Sequence, residues 1–212
     1  MILKQDSEPR AQTTVLKYAT FEADIGRFLV VRGGHGLRAV RFSGELDVER
    51  ELSLLTRGGR VLAVEDRITL KRVVDDIRDY LKGRRPVFDH ELELDELSDF
   101  SRRVLGAVNS IPYGTLRSYK WVAKQIGSPR ATRPVGQTLA RNPLPIVIPC
   151  HRVVNSDGTL GGYSGGGTDM KRRLIEIENG QIGLAFEHGG NEAKRQVLFQ
   201  LEGDAQGNDD AE

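Results

Sequence analysis

Three short apolar or β-branched runs open the chain, at 14–19, 26–31 and 37–42, each too brief for a helix. Gly33-Gly34-His35-Gly36 between the second and third is a hairpin signal. Antiparallel strands are the simplest reading. The period then changes: over 66–82, Leu70, Val73, Val74, Ile77 and Leu81 recur at helical spacing, and Gly83 supplies a stop. A sheet with a helix is predicted for the first half. The stretch 89–99 is acidic and turn-prone, and places a boundary near 95–98.

The second half reads as helices. Ser98 or Asp99 can cap one that carries Phe100, Val104, Leu105 and Val108 and ends before the turn signature Ile111-Pro112-Tyr113-Gly114. A second, over 118–126, places Tyr119, Val122, Ala123 and Ile126 on one face until Gly127-Ser128-Pro129 breaks it. A third runs over 132–141, with Pro134 tolerated in the first turn. Helix, Gly-containing turn, helix is the helix-turn-helix pattern. In the third helix Val135 and Leu139 point to the core, leaving Thr132, Arg133, Gly136, Gln137 and Ala140 outward. Thr132, Gly136 and Ala140 form a row of small residues, which suits a narrower groove than the major groove of DNA. Packing of that row against another element of the fold is the alternative.

At 212 residues the chain has room for two domains, predicted at 13–97 and 98–180 between a polar extension, 1–12, and an acidic tail, 181–212, with a possible short helix at 192–201. No run approaches the roughly 18 apolar residues of a membrane span, and 1–12 is not signal-like, so a cytoplasmic, intracellular protein is expected. The formal charge of +1 conceals a division: 98–180 carries +7, 1–97 carries −1 and 181–212 carries −5. A basic module of that kind suits a polyanionic partner.

There is one cysteine, Cys150, within Ile148-Pro149-Cys150-His151-Arg152-Val153-Val154. That rules out an internal disulfide, a Cys-based zinc site and a Cys-x-x-Cys pair. A free thiol has a pKa of about 8.5 and needs a base or a positive charge to become a nucleophile at neutral pH. His151 is adjacent, but neighbours in an extended segment point to opposite sides, so contact requires a turn or a bridging water. Asn142-Pro143-Leu144-Pro145 could supply the bend. Glu176 or Glu178, on a helix over 169–178, could orient the imidazole. A lone cysteine is more commonly a buried hydrophobe, so the pair alone does not decide. Downstream, six glycines crowd 158–167 around Tyr163-Ser164. No Gly-Lys-Ser/Thr follows, which argues against a phosphate loop. The segment is a flexible loop or a site for a planar guest stacked on Tyr163. His35 and His90 read as surface or turn residues.

Pro149-Cys150-His151-Arg152-Val153, preceded by Arg133-Pro134-Val135-Gly136 and Arg141-Asn142-Pro143-Leu144-Pro145 and followed by Gly162-Tyr163-Ser164-Gly165-Gly166, resembles the methylated-DNA:protein-cysteine methyltransferases, or O6-alkylguanine-DNA alkyltransferases, over about 100–178. The resemblance implies a ribonuclease-H-like α/β N-terminal domain, with an antiparallel sheet plus helix, and a mainly α winged-helix C-terminal domain. It implies a monomer that binds double-stranded alkylated DNA through the minor groove, flips the damaged base and uses no metal or other cofactor. Cys150 would then be the alkyl acceptor, His151 its base through a water, Glu178 the orienting acid and Asn142 the brace beneath the thiol. Tyr119 would donate to the guanine ring and Tyr163 would stack on it. The Ser164 amide would approach O6 and the Val153 backbone the exocyclic amine, with Pro145 and Gly165 completing the substrate site. Arg133 would fill the gap left by the flipped nucleotide, beside Thr132, Gly136, Gln137 and Ala140 at the DNA. Transfer would be irreversible, one event per molecule.

Two departures stand out. The chain lacks the cysteines of members with an N-terminal zinc site, and 165–171 is about one residue longer than in some relatives, which bears on the lid and on the reach of Lys171. Three other readings compete. Non-enzymatic relatives that bind alkylated DNA replace the cysteine, so Cys150 argues against that one. A winged-helix regulator sensing through Cys150 would require sequence-specific DNA binding. In a Cys-His protease, nucleophile and base would be separated in sequence.

Overall fold

The computed structural model describes residues 14–56 and 61–179. The extension at 1–12, the acidic tail at 181–212 and the helix expected at 192–201 lie outside them. Strands β1 (Thr14–Ala23), β2 (Gly26–Arg32) and β3 (Leu37–Ser43) form the expected antiparallel meander, each longer than its apolar run. A fourth strand, β4 (Val61–Glu65), pairs parallel to β1 and gives the order β3-β2-β1-β4. The apolar pattern did not anticipate it. Leu62 and Val64 are exposed, and its position is set by register with a strand far upstream.

Leu29, Val30 and Val31 are consecutive yet all buried, because helices cover both faces of the sheet. On one face Phe28 is stacked between Phe21 and Phe42, with ring centroids 4.8 and 4.9 Å apart. That face shares a core with Val73, Val74 and Ile77 of α2 (Lys71–Leu81). On the other face Leu16, Leu29, Val31 and Ala39 meet Val48, Leu52 and Leu55 of α1 (Val48–Leu55). Helix α1 was also unanticipated: it has no fully buried residue, and its clearest local signal is Asp47, whose carboxylate accepts the Arg50 N–H at 3.0 Å. Helix α2 starts later than its periodicity suggested, because Asp66 accepts the Thr69 N–H at 2.9 Å and holds a turn ahead of it. His90 corrects the surface reading: its side chain is only 10% exposed, with Nε2 2.8 Å from Asp76 on α2.

In the second half, α3 (Asp99–Asn109) is capped by Ser98, and α4 (Tyr119–Gln125) by Ser118. Helix α5 (Thr132–Leu139) follows the Gly127 turn. Val104, Leu105, Val108, Val122, Ala123, Val135 and Leu139 are their buried faces, as the spacing predicted. Two-residue strands β5 (Arg117–Ser118) and β6 (Val153–Val154) pair in parallel, and α6 (Gly167–Asn179) completes the described chain. One apolar cluster joins Phe28, Ile77 and Tyr80 to Val104, Val135 and Leu174, and Cys150 belongs to it. The thiol therefore sits where the two halves of the chain meet. No helix among the described residues is long and apolar enough to cross a membrane.

Phe28→Ala should cost about 3–5 kcal/mol, because the ring is wholly buried in the aromatic stack. The expected readout is a lower urea midpoint with an unchanged denaturant slope.

Candidate active site

Cys150 opens a single 3₁₀ turn, Cys150–Arg152, and not an extended segment. The Arg152 N–H closes that turn on the Pro149 carbonyl at 3.0 Å, and the Cys150 N–H reaches the Ile148 carbonyl at 2.8 Å. A turn, one of the two conditions for communication between Cys150 and His151, is therefore present at these residues. Upstream, Asn142 braces the loop: its Nδ2 donates to the Ile148 carbonyl at 2.9 Å and to the Cys150 sulfur at 3.1 Å, while its Oδ1 accepts the Leu144 N–H at 3.0 Å. Within this loop Ile146, at φ 74°, is the only non-glycine residue with positive φ among the described residues. For a β-branched side chain that conformation costs on the order of 1–3 kcal/mol and persists only when its surroundings enforce it.

Glu178, not Glu176, is the acid that meets His151. Its Oε1 lies 2.7 Å from His151 Nε2 and accepts from the Tyr80 hydroxyl at 3.0 Å. Arg152 Nε donates to Oε2 at 2.9 Å, and the Gly114 N–H donates to the same oxygen at 2.9 Å. Burial works against this carboxylate's charge, but the hydrogen bonds and charge beside it outweigh burial and hold its pKa at about 2. Burial in turn pushes the His151 pKa down, so the imidazole is neutral at neutral pH. The permanent charge facing Glu178 is therefore that of Arg152, and His151 contributes a hydrogen bond. With Nε2–H directed at the carboxylate, the basic lone pair is on Nδ1, which is buried without a protein partner.

The thiol's surroundings pull both ways. Burial raises its pKa, whereas the Asn142 donor and the nearby Lys171 ammonium favour the thiolate. Lys171, fully buried, donates to the Val153 carbonyl at 2.6 Å and the Leu160 carbonyl at 2.5 Å, and burial lowers its pKa to about 8. Its Nζ is also 3.5 Å from the Tyr119 hydroxyl, so Lys171 reaches the surroundings of the thiol. Burial and the neighbouring sulfur keep the Tyr119 phenol protonated. Tyr163 also lies beside the sulfur, and burial raises its pKa first and foremost. Its buried hydroxyl interacts electrostatically with Cys150 but has no hydrogen-bond partner of ordinary geometry. A Cβ at position 165 would approach the Tyr163 ring to 2.8 Å, so glycine is what lets this ring fold inward.

A cavity of about 790 Å³ is lined by Cys150, Tyr119, Tyr163 and Ser164 together with Thr132, Arg133, Gly136, Gln137 and Ala140 of α5. The small-residue row borders this space: Thr132 and Ala140 are exposed, while Gly136 between them lies against the Tyr119 ring of α4. A second cavity, about 390 Å³, runs from Cys150 past Pro145, Tyr163, Ser164 and Gly165 to β3 and α1. Pro145 and Gly165 thus border the second space and not the first. Val153 is buried, with its carbonyl already engaged by Lys171. The residues that sequence reasoning missed are Tyr80 and Arg152. Tyr80 lies on the apolar face of α2, where a hydroxyl gives no pattern, whereas Arg152 was visible inside the motif itself.

The family model described as "6-O-methylguanine DNA methyltransferase, DNA binding domain" matches residues 99–181. A methylated-DNA–protein-cysteine methyltransferase of Mycobacterium bovis is 38% identical over 164 residues, covering 77% of this chain and 93% of that protein. One from Methanosarcina acetivorans is 36% identical over 162 residues, covering 76% and 97%. Among solved structures, Mycobacterium tuberculosis OGT in complex with DNA is similar at a TM-score of 0.63 and 34% identity, covering 78% of this chain and 92% of that one.

Glu178 titrates at about 2 in the fold against an ordinary 4.5, so its stabilisation is complete above pH 4.5 and is lost as pH falls from there toward 2. That loss should be about 3 kcal/mol. His151, buried neutral, adds to acid sensitivity below its ordinary 6.5. Glu178→Gln should be less stable at neutral pH by about 3–5 kcal/mol, because Arg152 keeps its buried charge. Urea titrations at several pH values should show the variant losing less on acidification than the parent.

Proposed function

The chain belongs to the methylated-DNA–protein-cysteine methyltransferase family, and we propose that it repairs double-stranded DNA by moving an alkyl group from O6 of guanine to the Cys150 sulfur. The observation that carries this reading is the position of the thiol. It borders a cavity that is also lined by the small-residue face of α5, and the next residue, His151, has a buried Nδ1 without a partner.

His151 Nδ1 takes the thiol proton through a water, and Glu178 holds the imidazole in the tautomer that allows it. The thiolate attacks the alkyl carbon. The S–C bond forms as the C–O6 bond breaks, and the electron pair goes to the guanine ring. Tyr119 gives a proton to that ring, so guanine leaves neutral. Asn142, donating to the sulfur, stabilises the thiolate that burial disfavours. Tyr163 stacks on the base, the Ser164 amide meets O6, and the free lone pair of the Val153 carbonyl accepts from the exocyclic amine. Pro145 and Gly165 bound the space beside the alkyl group.

An alkyl group at O6 sits on the pairing edge, so the nucleotide must leave the stack, at a cost of a few kcal/mol. Arg133 fills the gap, and Thr132, Gly136, Gln137 and Ala140 let the helix backbone come close in the minor groove. In this reading α3, α4, α5 and the β5–β6 pair are a winged-helix domain, 98–180. The β3-β2-β1-β4 sheet with its helices is a ribonuclease-H-like domain, 13–97. The protein acts as a monomer and once per molecule: a thioether is inert to thiol exchange, and the sequence holds no second cysteine to relay the group.

Incubation with a duplex containing O6-methylguanine should add one methyl group per chain, mapped to Cys150 by peptide mass. A methyl group elsewhere, or no transfer while Cys150 is reduced, would overturn the reading. Arg133→Ala should slow repair of duplex by more than tenfold on the scale of a lost stacking contact, with reaction toward free O6-benzylguanine little changed. Equal loss on both would remove Arg133 from base flipping.

A further inference from the structure

Asn142 holds the sulfur from inside the thiol loop, and β3 holds the same loop from outside. Pro143, next to Asn142, has no N–H, so its carbonyl is its only backbone handle. That carbonyl accepts two donors from β3, the Val40 N–H at 2.9 Å and Arg41 Nη1 at 2.8 Å. Arg41 is itself anchored at both ends: Nη1 also meets the Val40 carbonyl at 2.9 Å, and Nε lies 3.4 Å from Glu51 on α1. Its guanidinium borders the 390 Å³ cavity that reaches Cys150. The chain of contacts runs from α1 through Arg41 and Pro143 to Asn142 and the sulfur without a break.

We propose that Arg41 is a positioning residue for alkyl transfer: by pinning the Pro143 carbonyl it keeps Asn142 against the Cys150 sulfur. This is how the sheet takes part in a reaction whose reacting groups all lie in the second half of the chain. The inference rests on the function proposed above, but the hold on the thiol can be measured without it. The Val40 N–H survives loss of Arg41, so the loop stays attached while its position relaxes. The other titratable groups that act on the sulfur are Lys171 from α6, Tyr119 from α4 and Tyr163 from the glycine-rich segment, and of these only Tyr163 borders the same cavity as Arg41.

The test uses the full chain with Arg41→Met, Arg41→Lys and, as a variant away from the loop, Glu51→Gln. Cys150 alkylation by iodoacetamide is followed by intact mass across pH, methyl transfer is timed with duplex and alkyl transfer with free O6-benzylguanine, and affinity for unmodified duplex is measured. Arg41→Met should raise the thiol midpoint by about one pH unit, the size expected for one lost donor to a thiolate. It should slow both transfers equally, by about tenfold, with affinity for unmodified duplex unchanged. Arg41→Lys, able to reach Pro143 but not to hold Glu51 as well, should recover most of the midpoint. A parental midpoint and rate in Arg41→Met overturn the proposal, whether or not stability falls, and so does a loss confined to the duplex substrate. If Arg41→Met does not fold, Glu51→Gln should show a smaller shift in the same direction, and no shift there is equally fatal. A parent chain that alkylates with iodoacetamide but transfers nothing would sink the proposed function, and the iodoacetamide midpoints would still decide the role of Arg41.

Discussion

A buried carboxylate organises this molecule. Glu178 is 6% exposed and accepts from Arg152, His151, Tyr80 and the Gly114 amide, so four donors from three separate parts of the chain converge on two oxygens. A charge so far from water is tolerable only when paired and fully hydrogen-bonded. Each contributor is therefore held in place by the same requirement. The orientation of His151, the seat of the 3₁₀ turn and the docking of α2 through Tyr80 all follow from it.

That constraint explains how a thiol can be both buried and usable. Cys150 lies in an apolar cluster where burial favours the neutral form. The means of ionising it are kept close but incomplete: a donor from Asn142, a cation at Lys171, and a neutral imidazole whose free nitrogen is set by Glu178. The strained backbone at Ile146 belongs to the same arrangement, because the loop that delivers the sulfur is held by Asn142 within and by β3 without.

Much of this was legible in the chain. Val135 and Leu139 pointed inward and Thr132, Gly136 and Ala140 outward, as helical spacing required. The cysteine motif marked the reactive centre, and the three strands and α2 through α6 were visible from period and punctuation. The misses share a cause. Strand β4 and helix α1 bury little, so neither leaves a strong apolar stripe, and both owe their place to a sheet assembled from distant segments. His90 was misread because its partner, Asp76, lies on another element.

By itself the sequence singled out the one thiol proposed as nucleophile, the slim outward face of α5, and the segment where positive charge is concentrated, because these depend on residue type and on period along one segment. Spacing left Glu176 and Glu178 open and the family resemblance named Glu178; only the tertiary structure showed that carboxylate bonded to His151, brought Tyr80 to it from the first half, and carried Arg41 to the thiol loop. Those choices depend on which side chains packing drives together and on how buried polar groups find partners, and neither is written in local spacing.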